Sequence, residues 1–252
     1  MMVVAGLALR VLHVLLTALL LKVFSFSFSW QLLRIAYPYA AGSAVWSDGK
    51  VITVYVLGTL FFLGLALLLI RQLLRLRVFN MKLRLFLTWF SFLSAHLFFV
   101  GLVAGIFIND ELGMAFSWFF PSLSVRAAIV LVLFGISLLF RPLWVSLFLK
   151  ISGSRTAIET YGKKRNYFRP VFLWPFVAGT LLSLPYALAV GSLFWVAGIL
   201  ALSLVALSLS VVSMPEKTPR LLKSAFEFSL SRKSGLMMAA VLAGILVLVL
   251  FF

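Results

Sequence analysis

The chain has 252 residues, a formal net charge of +16 and a hydrophobic content of 64%. It contains no cysteine, which excludes disulfides, cysteine-ligated metals and thiol chemistry. Since a soluble domain is only about half apolar, too few polar residues remain to cover a surface in water. The composition therefore predicts an all-α fold, a polytopic transmembrane helical bundle that forms a single domain over 1–252.

The basic residues are distributed unevenly along the chain. Of the 22 Lys and Arg, 16 fall in the stretches 71–84, 150–169 and 213–235, with apolar runs between them. This is the positive-inside pattern, so we expect each stretch to be a cytoplasmic loop of a bacterial inner-membrane protein. The sequence shows neither the Gly-aromatic RNA-binding pattern nor zinc-finger spacing. The expected partners are anionic lipid headgroups and other membrane proteins rather than nucleic acid.

Seven apolar runs follow one another, and a helical span needs about 20 such residues. The runs cover 4–29, 51–70, 85–108, 127–149, 170–189, 191–212 and 236–252. The first run lacks a small-residue cleavage site, so we interpret it as a retained span rather than a signal peptide. Seven spans place the N-terminus in the cytoplasm and the C-terminus outside. Six spans are the alternative, with the first or last run lying in the interface.

Three segments depart from the pattern of plain spans. The run 24–30 alternates Phe and Ser with the period of a strand, but an isolated strand in lipid leaves its backbone groups unpaired. We therefore predict helix there, or a break buried in protein. The segment 113–122 is too short to span, and we predict a short interfacial or re-entrant piece. The segment 219–233 is predicted to be an amphipathic cytoplasmic helix on the headgroups.

Five polar side chains fall inside the apolar runs, where a charge costs about 2.5–3.5 kcal/mol at the bilayer centre. They are Arg10, His13, Lys22, His96 and Arg141. One interpretation is hydrogen bonding within the bundle, with Arg141 snorkelling about 13 Å toward the inner basic cluster. The other is a polar cavity that binds an anionic group. Two histidines without a third ligand do not make a typical catalytic zinc site, so we predict neither a metal nor a cofactor.

Small residues in the third span predict close helix packing. Gly101 and Gly105 form a G-x-x-x-G motif, which lets two helix backbones approach each other. The spacing is common by chance, so it indicates packing of the bundle rather than a particular oligomer.

Two local patterns resemble the site-2-protease-like membrane metalloproteases. The stretch from His13 to Thr17 falls where those proteins carry H-E-x-x-H, and Gly58-Thr59-Leu60 resembles their Gly-Pro-Leu segment. The stretch 40–70 also resembles uncharacterised multi-pass proteins of Bacteroidetes-type bacteria. Val14 stands in place of the glutamate base, and Thr17 in place of the second histidine. Of the family's functional residues only His13 carries over, so the resemblance implies a related bundle that has lost proteolysis.

No catalytic motif is present: the chain lacks H-E-x-x-H, G-x-S-x-G and the P-loop pattern. The first hypothesis is therefore a non-enzymatic assembly, scaffold or accessory subunit that binds membrane partners or lipid. The second is a transporter or lipid-handling protein, because buried cations and spans broken at Pro142, Pro175 and Pro185 suit an anion pathway. The third is a degenerate relative of the membrane metalloproteases.

Overall fold

The computed structural model describes residues 1–31, 34–36, 43–75, 80–106, 112–152 and 160–189. The regular secondary structure of these residues is helical apart from one small hairpin. The helices are α1 (Met2–Val23), α2 (Asp48–Val51), α3 (Gly58–Arg75), α4 (Met81–Ala104), α5 (Leu112–Phe119), α6 (Leu123–Leu139), α7 (Arg141–Leu149), α8 (Tyr161–Phe168) and α9 (Trp174–Ala189). Two π-helical segments, Ile52–Leu57 and Arg169–Leu173, join α2 to α3 and α8 to α9, and a 3-10 turn, Lys150–Ser152, follows α7.

Within the part of the chain that the structure describes, three helices are long and apolar enough to cross a membrane: Met2–Val23, Asp48–Arg75 and Met81–Val103. They correspond to the first three predicted spans. A fourth is added if the bent pair Leu123–Ser137 and Pro142–Leu149 is counted as one span. The all-α class is therefore confirmed, while the total of seven spans stays a prediction. The predicted spans 191–212 and 236–252 and the amphipathic helix 219–233 lie outside the described residues.

Proline has different effects in the fourth and fifth predicted spans. The two halves of the fourth meet at an angle of 43°, and Pro142 lies in the first turn of α7, where the missing N–H costs little. By contrast, α9 continues through Pro175 and Pro185, so the predicted breaks there are wrong. The π segment Arg169–Leu173 ends two residues before Pro175 and changes the backbone hydrogen-bonding pattern there.

The Phe/Ser run does not continue α1. Ser25 has a φ of 57°, in the left-handed region that ends helices. The amides of Ser25 and Phe26 donate to the carbonyls of Lys22 and Leu21, 3.0 Å in both cases, which is the hydrogen-bond pattern of a Schellman motif. The expected helix is thus wrong, and the alternative of a break inside protein holds, since Phe26 is buried and packs edge-on against Trp46.

The end of the same run pairs as a strand after all. Strands β1 (Ser29–Gln31) and β2 (Arg34–Ala36) form an antiparallel hairpin in which Trp30 lies opposite Ile35. The second strand supplies the backbone partners that an isolated strand in lipid would lack. Of the alternating run 24–30, only Ser29 and Trp30 are therefore in a strand.

Helix α1 is apolar on both faces. One face is buried in the bundle through residues such as Leu9, Val14 and Leu21. The opposite face is a stripe of large exposed aliphatic side chains: Val4, Leu7, Val11, Leu15 and Leu19. A helix that is hydrophobic all round belongs in a protein interior or in lipid. This exposed stripe fits a helix whose outer surface is covered by acyl chains.

Helix α4 is the centre of the bundle and contacts α1, α3, α5, α6 and α7. Asn80 starts it, because the Asn80 Oδ1 accepts a hydrogen bond of 3.0 Å from the Lys82 amide. Around the first half of α4 the core is aromatic. Trp89 stacks on Phe172 with ring centroids 5.2 Å apart and meets Phe92 and Phe148 edge-on. These rings fix α7 and the second π segment against α4.

The two ends of the bundle differ in charge. The continuous helix Asp48–Arg75 has 28 residues and is therefore about 42 Å long, so its two ends lie on opposite sides of the bundle. Its last turns carry Arg71 and Arg75, and α4 begins beside them with Lys82 and Arg84. We call this side the basic end. Its first residue, Asp48, is the only carboxylate among the described residues.

Candidate functional site

The first polar pair lies within α1. Arg10 is only 9% exposed, and its guanidinium lies 3.4 Å from the His13 Nδ1. Arginine has no acceptor, so Nδ1 must accept and the ring proton lies on Nε2. The Thr17 hydroxyl donates to the His13 carbonyl at 2.9 Å, and the His13 ring lies against Phe62 of α3. Spacings of three and four residues along one helix thus bring Arg10, His13 and Thr17 together.

The second polar group, which we call the His96 node, is built from three helices. His96 of α4 is buried, and its Nδ1 donates to the Phe92 carbonyl at 2.7 Å. In a neutral ring Nε2 is then the acceptor, and the Ser137 hydroxyl of α6 lies 3.5 Å from it. The ring also contacts Trp144 of α7. The node therefore lies beside the bend between α6 and α7.

The other two predicted polar residues lie at helix ends. Lys22 is exposed in the last turn of α1, where a cation complements the helix dipole. Arg141 is the first residue of α7, at the bend, and only its backbone position is described. The described contacts of His13 involve α1 and α3, whereas those of His96 involve α4, α6 and α7. Among the described residues no group of three or more His, Asp or Glu is placed to hold a metal ion.

The G-x-x-x-G motif packs against another helix of the same chain. A Cβ added to Gly105 would lie 2.5 Å from the Gly113 Cα, and one added to Gly101 would lie 2.9 Å from the Leu112 Cδ2. The partner of the motif is therefore the start of α5. This helix is the piece predicted over 113–122, and its residues Leu112–Phe116 are buried against α4 and the first π segment.

Two side chains connect helices at the end of the bundle opposite the basic end. Arg126 of α6 donates from Nη1 to the Gly105 carbonyl at 2.9 Å, which supplies a cation at the C-terminal end of α4. The Trp118 Nε1 of α5 donates to the Asp48 Oδ1 at 2.8 Å. Together they tie α2, α4, α5 and α6. From the sequence Arg126 resembles an ordinary loop cation, because nothing in its neighbourhood shows which carbonyl it meets.

Arg126→Ala is expected to lower the free energy of unfolding by about 1.5–3 kcal/mol, the usual range for a hydrogen bond to a charged group. The cause is the unpaired carbonyl left at the end of α4. Thermal unfolding followed by tryptophan fluorescence measures the change. Arg71→Ala removes an exposed arginine of α3 and is the matched control, with an expected change within about 0.5 kcal/mol. An equal loss of unfolding free energy in both variants would contradict a stabilising role for the hydrogen bond between Arg126 and the Gly105 carbonyl.

A third set of polar residues, which the sequence did not single out, lies at the basic end. The charge of Arg84 of α4 contributes to the pKa shifts of Lys150, just after α7, and of Tyr167 of α8, in both cases as a smaller effect than burial. Burial, and then the like charge of Arg84, lower the pKa of Lys150. Burial raises the pKa of Tyr167, and Arg84 opposes this by favouring the phenolate. We call Arg84, Lys150, Lys164 and Tyr167 the inner cluster.

Lys164 is the unusual member of the inner cluster. It is 2% exposed, and its Nζ has no hydrogen-bond partner, while its neighbours Lys163 and Arg165 are exposed. Burial lowers the pKa of its ammonium group. In the sequence it is one of three consecutive basic residues, a pattern typical of a solvated loop, so no local signal separates it from its neighbours.

Comparison with known proteins adds no relative: no family model, no curated protein and no solved structure matches this chain.

Proposed function

We propose that the chain is a non-enzymatic multi-pass protein of a bacterial inner membrane, an assembly, scaffold or accessory subunit that binds membrane partners or lipid. The observation that supports it best is the use of the intramembrane polar groups. Arg10 contacts His13, while His96 binds the Phe92 carbonyl and faces Ser137. The His96–Ser137 approach joins α4 to α6 and the His13–Phe62 ring contact joins α1 to α3, while the Arg10–His13 and His96–Phe92 contacts lie within one helix. The described contacts of the two histidines involve different helices, α1 and α3 for His13 and α4, α6 and α7 for His96.

The remaining surface of the described helices suits lateral contacts in a membrane. Large exposed aliphatic side chains on α6 include Leu131 and Leu139, in addition to the stripe on α1. The one G-x-x-x-G motif is already occupied by α5. We therefore expect partner helices or acyl chains to meet the aliphatic faces of α1 and α6.

Site-specific photo-crosslinking in native membranes tests this function. A photoreactive residue at Leu19 of α1 or Leu131 of α6 is expected to give one protein adduct of defined mass. The same residue at Ala66, which is fully buried in α3, is the matched control and is expected to give none. When this chain is absent, the crosslinked partner should no longer migrate in its own complex on native gels. The proposal fails if the purified chain turns over a substrate and a His13 or Arg141 substitution abolishes that activity.

One observation favours a second function, transport or lipid handling. The bend of 43° between α6 and α7 lies beside the His96 node, and polar groups next to broken helices are typical of transporter sites. In this case His96→Ala should abolish flux of an anionic substrate into proteoliposomes, whereas His13→Ala on the separate pair should not. Absence of flux through the unaltered chain would exclude this function, and flux retained by His96→Ala would exclude the His96 node as its site.

The residues that stand where metalloproteases carry their catalytic groups do not favour a third function. Val14 is apolar and buried, and the hydroxyl of Thr17 is used in a backbone hydrogen bond. Neither side chain offers a general base or a strong metal ligand.

A further inference from the structure

Helix α3 is buried on one face and open on the other. Its buried face, which includes Phe62, Ala66 and Ile70, packs inside the bundle and mainly on α4. The open face is a row of exposed residues, which we call the α3 stripe: Phe61, Gly64, Leu68, Arg71 and Arg75. Spacings of three and four residues place all five within about 80° of arc, so they form one surface about 21 Å long.

Gly64 forms a notch in the apolar part of the α3 stripe. A Cβ added to it would meet nothing within 4 Å. Phe61 and Leu68, one turn away on either side, are both more than half exposed, so they form the walls of the notch. Glycine is a poor residue for an exposed helix interior, but it lets the backbone of a second helix come close. The notch therefore suits a helix that packs across α3.

The exposed faces of the other apolar helices lack this combination of features. The exposed face of α1 carries large aliphatic side chains from Val4 to Leu19, a surface that acyl chains can cover without a specific shape. Gly135 of α6 is open in the same way as Gly64. However, the one cation of α6 is Arg126, and it donates to the Gly105 carbonyl. Among these faces, the α3 stripe joins a notch to exposed cations.

The charges of the α3 stripe indicate what kind of helix fits it. Arg71 and Arg75 are one turn apart on the same face, so their guanidinium groups suit two carboxylates one turn apart on a facing helix. A second copy of this chain is a poor fit. In a symmetric pair with the same orientation in the membrane, each arginine would face the arginines of the other copy, and like charges repel.

The rest of this chain does not supply the complementary charge either. The apolar runs 191–212 and 236–252 contain no acidic residue. The stretch 213–235 between them is basic overall, with five lysines and arginines against two glutamates. The charge of the α3 stripe therefore favours a different, acidic protein.

We propose that the α3 stripe is the docking surface for a transmembrane helix of a partner protein. The partner places a small residue against Gly64 and carboxylates opposite Arg71 and Arg75. Since Gly64 and Arg71 are two turns apart, about 10 Å along the helix, the acidic residues of the partner lie two turns from its small residue, toward the basic end. This inference rests on the proposed function and deepens it, because it names the surface and the chemistry of the membrane partner.

A synthetic transmembrane peptide tests the charge of the partner. The probe is an apolar helix of leucine and alanine, with glutamates seven and eleven residues after a glycine; a second peptide carries lysines there instead. Because the chain has no cysteine, Lys82→Cys gives a single dye position, and energy transfer to the labelled peptide in phosphatidylcholine vesicles measures binding. The glutamate peptide should bind about tenfold more tightly, which two exposed ion pairs can supply.

Substitutions at the arginines locate this preference. Combined Arg71→Gln and Arg75→Gln should remove it. Combined Lys163→Gln and Arg165→Gln is the matched control, because it removes two exposed cations at the same end, and it should keep the preference. Equal binding of the two peptides by the unaltered chain would refute the proposal, and so would an equal loss in both double variants.

The notch has its own test. Gly64→Leu should weaken binding of the glutamate peptide about tenfold, since an added side chain keeps the two backbones apart. It should leave the unfolding midpoint unchanged, because nothing in the described structure opposes it. Gly135→Leu fills the open position on α6 and should leave peptide binding unchanged. Undiminished binding by Gly64→Leu would overturn the notch as the crossing point.

Photo-crosslinking from Leu68 in native membranes identifies the natural occupant. We expect an adduct with another protein, mapped by mass spectrometry to an apolar segment that has carboxylates at its cytoplasmic end, and we expect Gly64→Leu to abolish it. An adduct with a second copy, with another segment of this chain or with lipid alone would refute the proposal. Crosslinking at Leu19 and Leu131 uses other helices, so a partner found there without one at Leu68 would leave the accessory function standing.

Discussion

Trp89→Ala should lower the free energy of unfolding by about 3–5 kcal/mol, the range for removing a buried aromatic side chain. Trp89 is 0% exposed and contacts rings from three elements: Phe92 of α4, Phe148 of α7 and Phe172 of the second π segment. In a membrane this loss of stability comes from lost packing contacts rather than from the hydrophobic effect. The loss is large because the substitution removes a ring of α4 that contacts both other elements, although Phe92 of the same helix also contacts Phe148 and Phe172.

Two variants give this prediction its controls. Trp174→Ala removes the same side chain at a position that is 63% exposed, so its cost should stay within about 0.5 kcal/mol. Trp89→Phe keeps a ring in place and also removes a buried indole N–H that has no hydrogen-bond partner, so it should cost less than about 1.5 kcal/mol. Unfolding in denaturing detergent measures all three. Similar losses for Trp89→Ala and Trp174→Ala would contradict the central role of this core.

The second large effect is expected at Gly105, where alanine should lower the free energy of unfolding by about 2–3 kcal/mol. The added Cβ would lie 2.5 Å from the Cα of Gly113. Because that atom belongs to the backbone, it cannot move aside by a change of rotamer, and α5 would have to separate from α4. Trypsin or chymotrypsin sensitivity near α5, together with the unfolding midpoint, reports this separation.

Gly64→Ala is the matched control for that change. A Cβ at Gly64 meets nothing within 4 Å, and alanine favours helix over glycine by about 1 kcal/mol. Gly64→Ala should therefore be neutral or stabilising, opposite in sign to Gly105→Ala. Gly101→Ala should fall between the two, since it meets the side chain of Leu112 rather than backbone. A neutral Gly105→Ala would show that α5 is not held through this contact.

The sequence predicted the long helices well, because their signal is local. The uncharged run 51–70 and the run 85–108 each needed only length and composition to indicate a helix, and the helices Asp48–Arg75 and Met81–Ala104 contain most of their residues. Hydropathy predicted the ends of the helices less well. The first run was predicted to end at 29, whereas a left-handed Ser25 ends the helix at Val23, and serine gives little local signal for that conformation.

The sites were less predictable because they depend on contacts between distant parts of the chain. Spacing along one helix was enough to bring Arg10 and His13 together. In contrast, Ser137 lies 41 residues from His96, and Trp118 lies 70 residues from Asp48. Nothing in the local sequence of either partner indicates the other. The burial of Lys164 was harder still to predict, because it follows from how α8 packs on α7 rather than from the residues next to it in the sequence.

The length of the helix Asp48–Arg75 has a consequence for how the molecule would be held in a bilayer. Its uncharged stretch 51–70 measures about 30 Å, equal to the usual hydrocarbon thickness. In such a bilayer the residues before Val51 and after Ile70 would lie at the two interfaces, with Asp48 and Lys50 on one side and Arg71 and Arg75 on the other. Such a helix cannot shift along the membrane normal without moving a charged side chain into the hydrocarbon core. A thicker bilayer must become thinner around this helix, whereas in a thinner bilayer the helix must tilt.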